Sequence, residues 1–396
     1  MKRAYEMGIT GKKISKPSED PVIAIRALKL RTTVDELDQF KNKNVQDALS
    51  WVDTTQTSVQ NVYDRLEDVY RYCTQGAQDT NQTMDRQTLI NELHSLKETI
   101  YREGGMTYAG RYLFSGYKTE TNLLFQDNAA KEGLAYNITE DISPDKFVAK
   151  NVVLNEVDAN QLDDILAGNA AYKSPVPDGV YQLRLAYDDL DKSSSDITIR
   201  VTSVDGTVSP IYPEVKQVAD SATYYEVDPL GVNYIPETGE LIFGVDLYNS
   251  IKDATNISVN YNKSQFAVGD LRPEMYFNCT QHKTLQDGTV KDTEFTVEEA
   301  GQPIQDEVNF SHYVTVNVEG KDFIQHDMGN KIDDLADSVQ DVLDVEATIA
   351  RLKELKDMPQ YKDDEDAIAK LVSYLNHFTS GVMQSCANIT SENARD

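Results

Sequence analysis

The residues of this chain that could do chemistry are five histidines, three cysteines and two acidic clusters, and their spacing decides against most of it. His94, His282, His312, His326 and His377 are scattered, and no His-Glu-x-x-His, Cys-x-x-Cys or Gly-x-Ser-x-Gly pattern appears that would set a base, metal ligand or nucleophile in place. Cys73, Cys279 and Cys386 are odd in number and far apart, which fits packed thiols rather than a disulfide framework or a metal cluster. Asp188, Asp189 and Asp191, and the run Asp363, Asp364, Glu365 and Asp366, could attract calcium but lack the ligand spacing and turn glycine of a calcium loop. The second run falls where a helix N-terminus favours carboxylates in any case.

Gly8-Ile9-Thr10-Gly11-Lys12-Lys13 looks superficially like a phosphate loop. Its first glycine is misplaced, no Ser or Thr follows Lys12, and no strand precedes it. Asn137-Ile138-Thr139 and Asn388-Ile389-Thr390 are chance sequons. The expectation is therefore no catalytic residue, no cofactor and no metal. The rival expectation is an adhesin or hydrolase whose site hides between residues 126 and 329, to be recognised by a pocket with paired, perturbed carboxylates.

With chemistry set aside, composition points to a chain with enough apolar surface to fold and an unusually wet exterior. The chain has 396 residues, 40% hydrophobic and 26% charged, which suggests more than one compact unit. No apolar run reaches the 18 residues that suggest a membrane span, and the first residues are basic without the apolar stretch of a secretory signal. A formal charge of −28 opposes binding to phosphate backbones, so neither nucleic acid nor membrane is an expected partner. The charge is uneven. Residues 1–31 hold eight cations against Glu6, Glu19 and Asp20, a balance of +5 that leaves −33 for the remainder. Such polarity suits guidance of one copy's basic end onto another's acidic flank, or simply a solvated tail.

Ala27, Leu30, Val34 and Leu37 fall three and four apart on one helical stripe. The stripe pauses, then resumes as Val45, Val52, Val59, Leu66 and Cys73 at strict sevens, with Ala48, Thr55, Val62, Val69 and Gly76 three later. The pause of seven plus four is a coiled-coil stutter. No proline interrupts residues 22–82, so a single helix is predicted from Glu19 to Gly76, capped by Ser18, with Pro21 in its first turn. A second helix carries Leu89, Leu93, Leu96 and Ile100 before Gly104 and Gly105. A third carries Ile332 to Leu352 and closes at Met358-Pro359, and a fourth carries Ile368, Leu371, Leu375, Phe378, Val382, Ser385 and Ile389. Between them the texture turns to short alternating runs: Ile197 to Val204, Gly239 to Val245, Ile257 to Tyr261 and Tyr313 to Val318 read as strands, with Asp205-Gly206 and Asp287-Gly288 as hairpin turns.

The predicted class is α+β: a long antiparallel helical rod built by both chain ends, with a β-rich domain inserted. Its parts are residues 1–125 with a hairpin at 110–119, residues 126–329, possibly as two subdomains, and residues 330–396. Trp51, Val52, Val59, Leu66, Leu375, Phe378 and Val382 are the expected rod core.

Gly11-Lys12-Lys13-Ile14-Ser15-Lys16-Pro17-Ser18-Glu19-Asp20-Pro21-Val22 resembles the flagellin-family segment Ser-Gly-Lys-Arg-Ile-Asn-x-Pro-Ser-Asp-Asp-Pro, which joins a terminal coiled coil to a rod. Asp47-Ala48-Leu49-Ser50-Trp51, Thr54-Thr55 and Gln75-Gly76-Ala77 are similar to that family's long rod helix and its end. Gly110-Arg111-Tyr112-Leu113-Phe114-Ser115-Gly116-Tyr117-Lys118-Thr119 resembles the hairpin of its hook-filament junction branch rather than flagellin itself.

The resemblance implies a structural subunit outside the cell, exported unfolded through the flagellar type III apparatus with a chaperone for the full-length protein. It would form a ring of its own copies between hook-associated protein 1 and the first flagellins. It implies subunit contacts through Gly11, Lys12, Lys13, Ile14, Pro17, Asp20, Pro21 and Arg26. Family members also have helical segments beyond both ends that line an inner tube; the chain is expected to be trimmed of these and to stay monomeric. Where flagellins carry the immune-receptor run Leu-Gln-Arg-Val-Arg-Glu-Leu, this chain has Leu66-Glu67-Asp68-Val69-Tyr70-Arg71-Tyr72, so recognition there is not expected. Flagellin itself is the alternative reading.

Overall fold

The computed structural model describes residues 20–76, 83–126, 133–154, 176–193, 197–217, 223–297 and 301–373, with Tyr5, residues 8–11, Ser18, Asp164, Leu375 and Asn376 besides. Helix α1 (Pro21–Gln39) passes through a π turn (Phe40–Asn44) into α2 (Val45–Gly76), and α3 (Thr83–Glu103) returns antiparallel to α2. Far along the chain α5 (Met328–Asp357) packs against α3 with the opposite direction, about 45 Å long at 1.5 Å per residue. The two chain ends thus share one helical rod.

The stutter has a structural cause. The five-residue π turn lies between the two heptad stretches, where its wider ring takes up the change of phase without ending the helix. The predicted cap is corrected: Asp20, not Ser18, accepts from the Ile23 amide at 3.1 Å, and Pro21 occupies the first helical position. Asp20 has extended backbone, which puts its short carboxylate under the free amides.

The rod's core joins Val62 of α2 to Ile90, Leu93 and Ile100 of α3 and Ile332, Leu335, Val339 and Val342 of α5. One column of the predicted seam is therefore corrected. Val52 and Val59 are 41% and 39% exposed, whereas Ala48, Trp51, Thr55, Ser58 and Val62 form the buried stripe. Either column satisfies helical spacing beside Ala48, Thr55 and Val62. The large indole of Trp51 fixes the choice, because it packs beside Leu113, Phe114 and Val316. Leu66 is partly buried against the core. Leu375 is partly buried at the edge of the description, and Phe378 and Val382 lie outside the described residues. Across α3 and α5, Arg86 is buried and meets Glu346 at 2.6 Å, and Lys97 meets Asp333 at 2.5 Å.

After α3 a tight hairpin forms from β1 (Thr107–Tyr108) and β2 (Arg111–Tyr112). Ala109 and Gly110 have φ of 49° and 79°, the paired positive values that a two-residue hairpin turn requires. The strands thus lie at 107–112, not across 110–119; beyond Tyr112, whose amide bonds Thr119 O, the chain turns to bury Leu113 and Phe114.

The β region holds two sheets. One has six antiparallel strands in the order β13 (Val290–Phe295), β12 (Asn278–Thr284), β3 (Leu134–Ile142), β11 (Asn256–Lys263), β6 (Ile197–Thr202), β7 (Val208–Ile211). The other runs β4 (Val148–Leu154), β5 (Val176–Arg184), β10 (Glu240–Phe243), β9 (Val232–Ile235), β8 (Glu214–Val215), with β8 and β9 parallel. Alternation along β3 and β11 sends Tyr136, Ile138, Val259 and Tyr261 into one core with Leu183, Tyr234, Leu241 and Phe243 of the second sheet. Asp205-Gly206 and Asp287-Gly288 turn between strands as the dipeptides indicate, each glycine at positive φ. Val245 begins a short helix, α4 (Val245–Ile251), so the strand read there stops at Phe243. A separate hairpin, β14 (Gln305–Asn309) and β15 (His312–Thr315), precedes α5.

Candidate assembly surface

Helix α1 carries the most concentrated apolar exposure in the rod. Ile23, Leu30, Val34 and Leu37 recur at helical spacing on one stripe and are 37%, 67%, 61% and 46% exposed; Val22, Ile25 and Leu28 are also exposed, and only Ala24 is buried. Arg26, Lys29 and Arg31 on the first half of α1 and Asp35, Glu36 and Asp38 on its second half are all exposed. An exposed apolar stripe with cations at one end and carboxylates at the other is the kind of helix surface that suits a partner helix of complementary charge.

A second stripe continues on α2 as Leu49, Val52, Val59, Tyr63 and Tyr70, all exposed and placed at multiples of three and four. Sequence reading assigned Val52 and Val59 to the core and passed over Tyr63 and Tyr70. Their spacing from Val59 was the available signal.

Between these stripes the β14–β15 hairpin lies against the π turn. Phe310 meets Phe40 edge to face with ring centroids 5.2 Å apart, and Asn44 Nδ2 donates to Glu307 O at 2.7 Å. The wide π ring and this contact coincide, so the hairpin rests where the helix changes phase.

Of the expected contact residues, Gly11 is exposed with φ of 63°, a left-handed conformation suited to glycine. Lys12, Lys13, Ile14 and Pro17 lie outside the described residues. Asp20 and Pro21 begin α1, and Arg26 is exposed one turn later. The structure gathers Asp20, Pro21 and Arg26 on the same helix start.

Among the described residues the acidic cluster and the histidines are taken up in structural contacts or lie apart. Asp191 accepts from the Ser264 hydroxyl at 2.7 Å, and the buried Lys263 ammonium donates to Asp188 O, so this acidic cluster closes the end of β11. Burial lowers the Lys263 ammonium and raises the Cys279 thiol to about 12. His94 lies 3.7 Å from Asp333, His282 lies 2.8 Å from Asp292, and His312 is exposed; His326 is half-buried and His377 lies outside the described residues. Asp363, Asp364, Glu365 and Asp366 are exposed. Among the described residues no group of three or more His, Cys, Asp or Glu side chains could hold a metal ion, and no helix is long and apolar enough to cross a membrane.

The described residues thus form a helical rod from both chain ends, an intervening β region and an exposed apolar stripe at the rod's start. Residues 1–119 match the model of the bacterial flagellin N-terminal helical region. In sequence the chain is similar to flagellar hook-associated protein 3 of Escherichia coli (strain K12), 25% identical over 186 residues that make up 45% of this chain and 54% of that protein. The same protein of Salmonella typhimurium (strain LT2) is 26% identical over 186 residues, with the same coverage. The match spans about half the length of these curated relatives. Among solved structures, the flagellar junction protein FlgL from Legionella pneumophila overlaps 94% of this chain and 99% of its own, at 11% identity and a TM-score of 0.30, too loose for comparison element by element.

Proposed function

We propose that this chain is a structural subunit of the bacterial flagellum that joins hook-associated protein 1 to the flagellin filament. The observation that carries the reading is the exposed apolar stripe of α1 on an N-terminal third matched to the flagellin helical region. Both curated relatives are flagellar hook-associated protein 3, which favours the junction over flagellin itself. Its work is adhesion by geometry: copies of one rod pack side by side into a ring, and the two faces of that ring meet different neighbours.

In this reading residues 1–125 and 330–396 make the rod, and residues 126–329 project from it. Gly11, Lys12, Lys13, Ile14, Pro17 and Arg26 contact an adjacent subunit, while Asp20 and Pro21 hold the start of α1 in place. The protein works outside the cell without catalysing a reaction, and a chaperone accompanies the full-length protein to export. The test is a pull-down of the full-length protein with hook-associated protein 1 and, separately, with flagellin. Binding to hook-associated protein 1 is expected; binding to flagellin alone would transfer the assignment to the filament.

A further inference from the structure

The six-stranded sheet turns its apolar side chains into the core, and its other face is built from a residue type that strands avoid. Alternation places Asn137 of β3 and Asn256, Asn260 and Asn262 of β11 on that outward face, each half-buried. Asparagine is depleted in strands, because its amide competes for the hydrogen bonds of the backbone. A local rule broken without a gain in packing is the signature of a functional surface.

Register brings these amides together with threonines. Across four strands Thr198, Asn260, Thr139 and Asn278 stand in one row, and Asn262, Asn137 and Thr280 stand in the next. Asn137 Nδ2 donates to Asn260 Oδ1 at 2.9 Å and to Asn262 Oδ1 at 2.7 Å, while Asn260 Nδ2 donates back to Asn137 Oδ1 at 2.7 Å and to Thr139 Oγ1 at 3.0 Å. These bonds fix the orientation of the amides, and the oxygens of Asn137 and Asn260 each keep a second lone pair. Charge stands outside the two rows: Arg200 and Asp141 share the row beyond, and Glu294 lies past Thr280 on the edge strand β13. At the opposite edge Val208 and Pro210 of β7, followed by Tyr212, continue the outward phase, with Val208 54% and Tyr212 83% exposed.

We propose that this face binds a neutral carbohydrate chain, the amide and hydroxyl rows taking sugar hydroxyls and Tyr212 offering its ring to the apolar side of a sugar. A sugar hydroxyl is donor and acceptor at once, and a grid of oriented amides and threonines complements it without having to be ordered on binding. Other partners fit less well. A protein interface is built around an apolar or aromatic centre, and here the apolar residues stand at the rim. A polyanion meets a chain of charge −28, with Asp141 in the same row as Arg200.

The sheet face stands apart from the flagellar reading and is tested on the chain itself. Maltohexaose, mannohexaose and triacetylchitotriose are titrated into nitrogen-15-labelled protein, and the side-chain amides of Asn137 and Asn260 are followed by NMR. Saturable shifts with at least one of the three are expected, at a dissociation constant of about 1 mM or below. Asn260→Thr suits a strand and should keep the unfolding midpoint while weakening that binding about tenfold. Tyr212→Ala, at an exposed position, should weaken it about threefold. The proposal is overturned if none of the sugars shifts these amides at about 10 mM, if the shifts fall on another surface, or if both variants bind as tightly as wild type.

Discussion

Helices α1 and α2 run end to end through one π turn and carry the same kind of apolar spacing, yet among the described residues only α2 has its stripe covered. On α2 the stripe from Ala48 to Val62 is closed over by the loop after β2, by α3 and by α5. On α1 the stripe from Ile23 to Leu37 faces outward. Identical periodicity therefore encodes a core in one place and an outward face in the other. The difference lies in what the rest of the chain brings alongside.

Substitutions should separate the two helices sharply. Leu93 is 1% exposed in the rod core, and Leu93→Ala should cost about 2–5 kcal/mol, measured by denaturant unfolding. If the loss were below about 1 kcal/mol, the bundle would not be the stable half of the comparison. Next in size, Glu346→Ala strands the buried Arg86 guanidinium and should cost about 1–3 kcal/mol, less at high salt only to the extent that Glu346 is exposed. Asp20→Ala removes the cap of α1 and should lower helicity at residues 21–39 for a cost near 1 kcal/mol, visible by amide exchange of Ile23. Smallest of all, Leu30→Ala on the outward stripe should change stability by no more than about 0.5 kcal/mol. A large effect from Leu30→Ala would mean that α1 is packed after all, and the comparison would collapse.

Much of this was legible in the sequence. The helix starts and stops, the stutter and the β texture follow from local chemistry: Pro21 in a first turn, Asp205-Gly206 at a hairpin, Met358-Pro359 after a last one. The stutter located the π turn but not its kind, because an eleven-residue interval does not say where the extra ring opens. Phe310, 270 residues beyond Phe40, marks that place. The column choice was hidden for a similar reason. Val52 and Val59 look more apolar than Thr55 and Ser58, but burial is set by which face Leu113, Phe114 and Ile90 reach from distant positions. The buried Glu140 did leave a trace, since it shares the inward phase of Leu134, Tyr136, Ile138 and Ile142 along β3, but its hydrogen-bond partners Ala186 and Tyr261 come from distant positions that local pattern does not indicate.

The exposed stripe of α1 is the centre of the account, and the direct measurement is binding of full-length Leu30→Asp/Val34→Asp to hook-associated protein 1 and to its own copies, alongside the unfolding midpoint. Lost assembly with an unchanged midpoint is the predicted result. Undiminished assembly, or a midpoint that falls as far as that of Leu93→Ala, would contradict it.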